Sequence, residues 1–198
     1  MLTFYHAPRS RSSGILYLLE ELGVAYDVLK IDIHADDGAP ESYRAIQPHK
    51  KVPAVVHDGV VVTERAAICV YLADAFPQAG LAPAIGDPMR AAYLSALVYA
   101  DAVLDPCIVA RAQAWAYAPR AFPFGAYEDM LAHLERRLSV QAYAAGERYS
   151  AADTQWADGL HRGMRVLGAI PERPAFKAYL DRIAERPAFR RYRALAIA

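Results

Sequence analysis

The sequence predicts a chain of two parts, a small α/β domain in the order β-α-β-α-β-β-α followed by an all-α domain. Short apolar runs alternate with helical apolar spacing up to residue 76. The segment 77–88 holds three prolines and two glycines, a composition typical of a linker. No strong strand pattern follows it. We therefore predict domains over 1–76 and 89–198, joined by a linker over 77–88.

The first elements predict a βαβ unit. Leu2–Tyr5 is a short apolar run, and the next apolar residues, between Ile15 and Leu22, recur at helical spacing and end at Gly23. Tyr26–Ile33 reads as a second strand. Because a helix separates the two strands, we expect them to be parallel.

The remainder of the α/β domain contains a short helix and a hairpin. Glu41–Ile46 predicts the helix, and two valine-rich runs on either side of His57-Asp58-Gly59 predict the hairpin. Thr63 is expected to cap the helix that follows, whose apolar residues include Ile68 and Leu72.

The second part reads as helices only. A long helix is predicted over 89–117, with a kink or a boundary at Asp105-Pro106, and a second one over 127–143. Ser150 and Asp153 have the spacing of a capping box at the start of a third helix. Two further helices, over 174–185 and 187–195, each begin with a proline, which suits the first helical turn.

Composition narrows the classes of function. With 22 basic and 22 acidic residues the net charge is zero, which gives no reason to expect a nucleic-acid partner. No uninterrupted apolar run spans a membrane and the N-terminus lacks a signal peptide, so we predict a soluble, cytoplasmic protein with no membrane partner. Cys69 and Cys107 are predicted to be buried free thiols. No metal site is expected, and the six histidines (6, 34, 49, 57, 133 and 161) are interpreted as surface or turn residues.

Three motifs resemble the cytosolic glutathione transferase superfamily, of the bacterial type. They are Lys51-Val52-Pro53-Ala54, the stretch from Val62 to Ala73 that contains Glu64-Arg65-Ala66-Ala67-Ile68, and Tyr149-Ser150-Ala151-Ala152-Asp153. The resemblance covers the whole chain in the right order. It implies a thioredoxin-like first domain, a helical second domain and a homodimer. It also implies detoxification chemistry, in which the thiol of glutathione attacks a small hydrophobic electrophile by conjugation, reduction or isomerisation.

The resemblance also implies a glutathione site. The Val52-Pro53 bond would be cis, and Val52 would present its backbone to the tripeptide as a strand edge. The helix start would bind the γ-glutamyl carboxylate and Glu64 the ammonium group. Arg65 replaces the serine usual in the family, and its side chain either contacts the ligand or points into solvent. Lys51 and His49 are candidates for the glycyl end, with plain surface residues as the alternative.

The chemistry requires a group that ionises the thiol, which titrates near 8.5 when free. Lowering that pKa by two units takes about 2.7 kcal/mol, and one hydroxyl hydrogen bond of about 1.5–3 kcal/mol can supply most of it. The family uses Tyr, Ser or Cys. Counting back from Leu22-Gly23 to the family's serine gives Ser10 as first choice and Ser12 as second, unless both serines only cap the helix. Tyr5 is expected to pack, and Arg11 would add positive charge.

The helical domain carries the remaining candidates. Asp101 falls where many relatives have an acidic residue that reaches the partner subunit's glutathione, and a solvated charge is the alternative. The residues expected to line the electrophile pocket, unless they are core, are Tyr99, Cys107, Arg111, Trp115 and Tyr117. Ser150 and Asp153 are expected to be a structural cap. The alternative function is a non-catalytic glutathione-binding or regulatory protein. A thioredoxin-like disulfide reductase is set aside because the chain lacks Cys-x-x-Cys.

Overall fold

The structure, a computed structural model, describes residues 1–197. The chain forms two compact units: residues 1–79 together with the last helix, and residues 80–186. The strands are β1 (Leu2–His6), β2 (Asp27–Lys30), β3 (Ala54–His57) and β4 (Val60–Thr63). The α-helices are α1 (Ser13–Leu22), α2 (Arg65–Ala75), α3 (Arg90–Tyr99), α4 (Asp105–Ala112), α5 (Tyr127–Val140), α6 (Ala151–His161), α7 (Pro174–Ala184) and α8 (Pro187–Ile197).

The first unit contains a mixed four-stranded sheet in the order β2-β1-β3-β4. β1 and β2 are parallel, as the βαβ pattern predicts, and the other two pairs are antiparallel. The β-α-β-α-β-β-α order of the thioredoxin-like domain is therefore confirmed, with a 3-10 helix over Glu41–Ala45 as its second helical element. β2 is shorter than predicted, and all four of its residues are exposed.

The hairpin has a two-residue turn. His57 pairs with Val60, so Asp58 and Gly59 alone connect the strands. Their φ angles are 48° and 83°, the left-handed conformation that such turns need at both positions.

The start of α2 differs from the prediction. Thr63 pairs with Ala54 as the last residue of β4, and the residue before the helix is Glu64. The cap position therefore belongs to Glu64, because the sheet ladder holds Thr63 in extended backbone.

α8 belongs to the first unit, although the predicted division placed it in the helical domain. It packs on α1, where the ring of Tyr17 lies 5.4 Å from that of Phe189 and 5.3 Å from that of Tyr192. Tyr17 is only 1% exposed, and the rings of Phe189 and Tyr192 on α8 contribute to its burial.

A continuous helix crosses the second unit from Arg90 to Ala112. It contains a π turn over Ala100–Leu104, where the Asp105 N–H donates to the carbonyl of Ala100. The irregularity comes just before Pro106, which has no N–H to donate to the preceding turn, and so lies where the kink was predicted. By length and composition this helix could cross a membrane, a test that core helices of soluble proteins also pass. Scanning for uninterrupted apolar runs missed it because Asp101 and Asp105 interrupt the pattern.

A buried carboxylate at the start of α6 connects several segments of the helical unit. The carboxylate of Asp153, which is fully buried, accepts hydrogen bonds from the N–H groups of Ser150 (2.9 Å) and Ala144 (2.8 Å). The Tyr179 hydroxyl also donates to it (3.0 Å). Burial raises the pKa of Asp153 to about 6. One side chain thus joins the loop before α6 to α7.

Candidate functional site

Three segments of the first unit meet at one end of the sheet. Tyr5 near the end of β1 pairs with Ala54 at the start of β3, and Ala54 pairs with Thr63 at the end of β4. The loop after β1, the residues before β3 and the start of α2 therefore lie at the same edge. This places the serines near residue 10, Val52-Pro53 and Glu64-Arg65 around one region.

The loop after β1 contains a chain of hydroxyl groups. The Oγ atoms of Ser10 and Ser12 are 2.7 Å apart, and Ser12 Oγ lies 2.7 Å from Nδ1 of His6. The N–H of Ala7 donates to Ser12 Oγ (3.2 Å), while the N–H of Ser12 donates to Ser10 Oγ (3.1 Å). Ser12 is fully buried and Ser10 half-buried. Of the two hydroxyls, that of Ser10 is the one within reach of a ligand.

The hydrogen bonds at the start of α1 further distinguish the roles of Ser10 and Ser12. The helix begins at Ser13, and Ser12 occupies the cap position without making a side-chain cap bond. The Ser12 hydroxyl is directed instead to His6 and to the backbone of Ala7. The interpretation that Ser12 only caps the helix is therefore wrong.

His6 is the residue of this loop that the sequence reading missed. Its side chain is 6% exposed, so the interpretation of every histidine as a surface or turn residue is wrong here. Burial, with the positive charge of Lys30 on the neighbouring strand, lowers the pKa of His6 to about 4. The imidazole is therefore neutral at pH 7. The available signal was the period of two in β1, which groups His6 with the buried residues Leu2 and Phe4.

The residues before β3 are fixed by two side chains. The Val52-Pro53 peptide bond is cis, as the family resemblance implied. The Tyr43 hydroxyl donates to the carbonyl of Lys51 (3.0 Å). The buried amide oxygen of Gln47 accepts from the N–H groups of His49 (2.7 Å) and Lys51 (3.1 Å). Gln47 was not singled out from the sequence, although it shapes this loop.

The candidate side chains around that loop have different exposures. His49 and Lys51 are exposed, and Val52 is half-buried. Tyr5 packs on Tyr43, with ring centroids 5.4 Å apart, in a cluster that includes Ala54. Tyr5 is thus a packing residue in this structure, as expected.

Glu64 and Arg65 form the third segment. Glu64 is exposed and has φ 66° and ψ 125°, a conformation that costs a residue with a side chain about 1–3 kcal/mol. Such outliers occur preferentially at functional sites. Arg65 is 7% exposed. Its guanidinium does not point into solvent, so one of the two alternatives is excluded.

The predicted pocket residues of the second unit do not all meet. A cleft of about 530 Å³ is lined by Arg111, Trp115 and Tyr117, together with Tyr127 and Glu128. Trp115 is 58% exposed, and the Arg111 guanidinium lies 5.2 Å from the centre of the Tyr127 ring. An exposed aromatic surface beside a cation is therefore present.

Cys107 and Tyr99 lie outside this cleft, which corrects their assignment. Cys107 is fully buried and its thiol donates to the carbonyl of Phe124 (3.5 Å). Burial raises its pKa to about 11, so the thiol stays protonated and unreactive. Tyr99 lines a different cavity of about 270 Å³ with His133 and Trp156. Both residues lie on the Arg90–Ala112 helix.

The remaining candidate residues, Asp101, Cys69 and Cys107, have the following positions in the structure. Asp101 is half-buried within the π turn. Cys69 and Cys107 are buried free thiols, as predicted. Within residues 1–197 no group of three or more His, Cys, Asp or Glu side chains could hold a metal ion.

The four-stranded α/β domain and the helical unit define the class of protein by its fold. Comparison with known proteins identifies the family. The family descriptions "Glutathione S-transferase, N-terminal domain" and "Glutathione S-transferase, C-terminal domain" match residues 1–74 and 124–187. The chain therefore belongs to the glutathione S-transferase family and has its fold.

Individual relatives agree with this assignment. Glutathione S-transferase 3 of Schizosaccharomyces pombe is 30% identical over 174 residues, which cover 78% of this chain and 71% of that protein. The disulfide-bond oxidoreductase YfcG of Escherichia coli is 29% identical over 92% of this chain and 90% of its own length. A sphingomonad glutathione S-transferase solved in complex with glutathione superposes with a TM-score of 0.81 at 29% identity, covering 98% of both chains.

Proposed function

We propose that this protein is a glutathione transferase in which the Ser10 hydroxyl stabilises the thiolate of glutathione. The observation that carries the proposal is the half-buried Ser10 hydroxyl, connected to buried Ser12 and His6 at the sheet end shared by Val52-Pro53 and Glu64. A hydroxyl donor beside a thiolate favours the charged form and lowers the thiol pKa. Ser10 is preferred to Ser12 because Ser12 has no exposed surface.

Glutathione is assigned to the edge where the three segments meet. The backbone of Val52 would pair with the extended tripeptide as a strand would. Glu64 would bind the ammonium group, and the start of α2 with Arg65 would bind the γ-glutamyl carboxylate. His49 and Lys51, both exposed, are assigned to the glycyl end. The sphingomonad relative complexed with glutathione supports the choice of ligand.

The electrophile is assigned to the cleft of Arg111, Trp115 and Tyr117 because its walls are mostly aromatic and apolar, with Arg111 and Glu128 as the charged residues. The proposal also includes a cytoplasmic homodimer, in which Asp101 reaches the partner subunit's glutathione. A Trp115→Ala variant should raise KM for a hydrophobic electrophile about tenfold and leave KM for glutathione unchanged. Equal effects on both constants would contradict the assignment of the cleft.

The decisive experiment titrates the thiol of bound glutathione by its ultraviolet thiolate absorbance. The wild-type protein should lower the thiol pKa by one to two units from about 8.5. Ser10→Ala should abolish most of that shift and reduce turnover about 10²-fold, while calorimetry still detects glutathione binding. Ser13→Ala, which changes a first-turn serine of α1, is the matched control. A Ser10→Ala variant with the wild-type thiol pKa would disprove the role of Ser10.

The alternative is a non-catalytic glutathione-binding or regulatory protein, and the observation that favours it is Arg65 in place of the family's serine. Such a protein would bind glutathione without lowering the thiol pKa. If the thiol pKa is lowered, parallel assays with an activated aryl halide and a small disulfide distinguish conjugation from reduction. The second assay is motivated by the similarity to the disulfide-bond oxidoreductase YfcG.

A further inference from the structure

The hydrogen bonds of Ser10 and Ser12 can run in two directions, and the tautomer of His6 selects between them. Each hydroxyl has one proton and two acceptor positions. Ser12 Oγ lies between the other two atoms of this chain, 2.7 Å from His6 Nδ1 and 2.7 Å from Ser10 Oγ. Which end of this chain donates decides whether the Ser10 proton is used inside the protein or is offered to a ligand.

If Nδ1 of His6 carries no proton, the Ser12 hydroxyl donates to it. Ser12 Oγ then accepts from the Ala7 N–H and has one acceptor position left, 2.7 Å from Ser10 Oγ. The Ser10 hydroxyl would then donate its proton to Ser12 Oγ and not to a ligand. A thiolate would compete with Ser12 for it.

If Nδ1 carries the proton, the direction reverses. His6 donates to Ser12, whose own proton is then donated to Ser10 Oγ at 2.7 Å in preference to the Ala7 carbonyl at 3.1 Å, the longer of the two contacts. Ser10 Oγ accepts from this hydroxyl and from the Ser12 N–H, so both of its acceptor positions are filled. Its single proton is left to donate to the Ala7 carbonyl at 2.8 Å or, after rotation of the hydroxyl, to a bound thiolate.

We propose that His6 is a positioning residue for thiol activation: as the neutral Nδ1–H tautomer it donates to Ser12, Ser12 donates to Ser10, and the Ser10 proton is directed to the sulfur of glutathione. This inference rests on the proposed function of Ser10. His6 does not touch the ligand in this arrangement, and it acts through the two serines.

The surroundings of His6 favour this arrangement. The side chain is buried beside the ring of Phe4, with centroids 5.2 Å apart, which disfavours a charged imidazolium. The positive charge of Lys30 also lowers the pKa of His6. An imidazole with such a low pKa is a weak general base and would not hold the thiol proton at pH 7. His6 therefore orients the hydroxyl chain and does not act as the base that keeps the thiol proton.

A chain of hydrogen bonds running in one direction polarises each member, so the last hydroxyl becomes a better donor than an isolated serine. Loss of the first donor should therefore weaken the bond to the sulfur without removing it. We expect an effect the size of one neutral hydrogen bond, about threefold to tenfold in the thiol ionisation constant.

The test compares two substitutions at His6 in the full-length protein. His6→Phe keeps an aromatic ring beside Phe4 and removes the donor. His6→Asn places an amide nitrogen at the position of Nδ1 and restores a donor. His6→Phe should reduce the thiol ionisation constant and turnover at pH 7 about threefold to tenfold, with the Kd for glutathione unchanged. His6→Asn should return both values to within about twofold of wild type.

The outcomes separate this inference from the role of Ser10. If Ser10→Ala raises the thiol pKa and His6→Phe does not, the positioning role of His6 is wrong and the proposed function stands. If neither variant changes the thiol pKa, both ideas fail. A His6→Phe variant that loses activity without rescue by His6→Asn would also overturn the inference.

A measurement on the unsubstituted protein guards against a variant that fails to fold. The ¹⁵N chemical shifts of the His6 ring in the glutathione complex report which nitrogen is protonated. A protonated Nδ1 is expected. A protonated Nε2 with a bare Nδ1 would contradict the proposed direction of the chain.

Discussion

The hydroxyl of Tyr43 donates a hydrogen bond to the carbonyl oxygen of Lys51, 3.0 Å away, in the residue that precedes Val52-Pro53. Tyr43 is 4% exposed and belongs to the 3-10 helix Glu41–Ala45. A single buried phenol thus connects the second helical element of the domain to the backbone edge assigned to glutathione.

Removing this hydrogen bond should affect glutathione binding as well as stability. Tyr43→Phe should lower the free energy of unfolding by about 1 kcal/mol, since the carbonyl of Lys51 loses its donor. The Kd for glutathione, measured by calorimetry, should rise about threefold to tenfold because the edge before β3 becomes less well fixed.

Tyr26→Phe provides the control for Tyr43→Phe. The Tyr26 hydroxyl donates to Glu20 (2.7 Å), near the other end of α1. We expect a comparable loss of stability from this variant with no change in glutathione affinity. Equal Kd values for both variants would show that the Tyr43 bond has no special role in binding.

The Arg65 side chain should contribute to the binding of glutathione. Arg65→Gln keeps a hydrogen-bonding side chain but removes a cation that is only 7% exposed. If this cation contacts the γ-glutamyl carboxylate, the Kd for glutathione should rise at least tenfold, in line with about 1.5–3 kcal/mol for a charged hydrogen bond. Arg191→Gln, on α8 of the same unit, should leave the Kd unchanged because this exposed arginine pairs with Glu20. An Arg65→Gln variant with wild-type affinity would remove Arg65 from the site.

His6 should make the protein less stable in mild acid. Its pKa is about 4 in the folded protein and 6.5 ordinarily, so between these values the unfolded chain binds a proton that the folded chain does not. The stabilisation is complete above pH 6.5 and is lost as the pH falls to 4. Its full size is about 3 kcal/mol.

Urea unfolding at pH 7, 5.5 and 4 checks this dependence. His6→Asn, which does not titrate, should show a weaker loss of stability over that range than the wild type. His34→Asn, at an exposed histidine, should behave as the wild type does. Because Asp153 and other groups titrate in the same range, the difference between proteins is the quantity to compare. No difference for His6→Asn would contradict the burial of a neutral His6.

The cap of α6 should be among the most sensitive positions for folding. Asp153→Asn exchanges an acceptor for a donor opposite groups that already donate, namely the N–H groups of Ser150 and Ala144 and the Tyr179 hydroxyl. We expect a loss of about 3 kcal/mol or more in the free energy of unfolding. Asp181→Asn, which affects an exposed pair with Lys177, should leave the urea midpoint unchanged. A small effect at Asp153 would show that the loop before α6 can rearrange.

The elements of the fold could be predicted because their signals are local. The turn at Asp58-Gly59 follows from two residues that tolerate a left-handed backbone, and α1 follows from its apolar spacing and Gly23. The position of α8 could not be predicted. Its contact with Tyr17 of α1 joins residues far apart in the chain, and no local pattern reports such a pairing.

The candidate site shows the same division. Ser10 and Val52-Pro53 were found by their spacing and motifs. The burial of His6 required knowing that the inward face of β1 continues to its last residue. The unusual backbone conformation of Glu64 could be predicted only by knowing that the pairing of β4 with β3 ends at Thr63. Tyr99 and Arg111 are twelve residues apart on one helix, about 18 Å along its axis, and they line different cavities.

The π turn over Ala100–Leu104 has an evolutionary consequence. It accommodates one more residue than a regular helical turn would, ahead of the segment that carries Arg111. Deleting one residue there would restore the regular helix and leave the later side chains at nearly the same angle to the part before it, because four residues of α-helix turn through about the same angle as the five residues of the π turn. A single-codon deletion in this turn can therefore be absorbed far from the cleft, without changing which side chains line it.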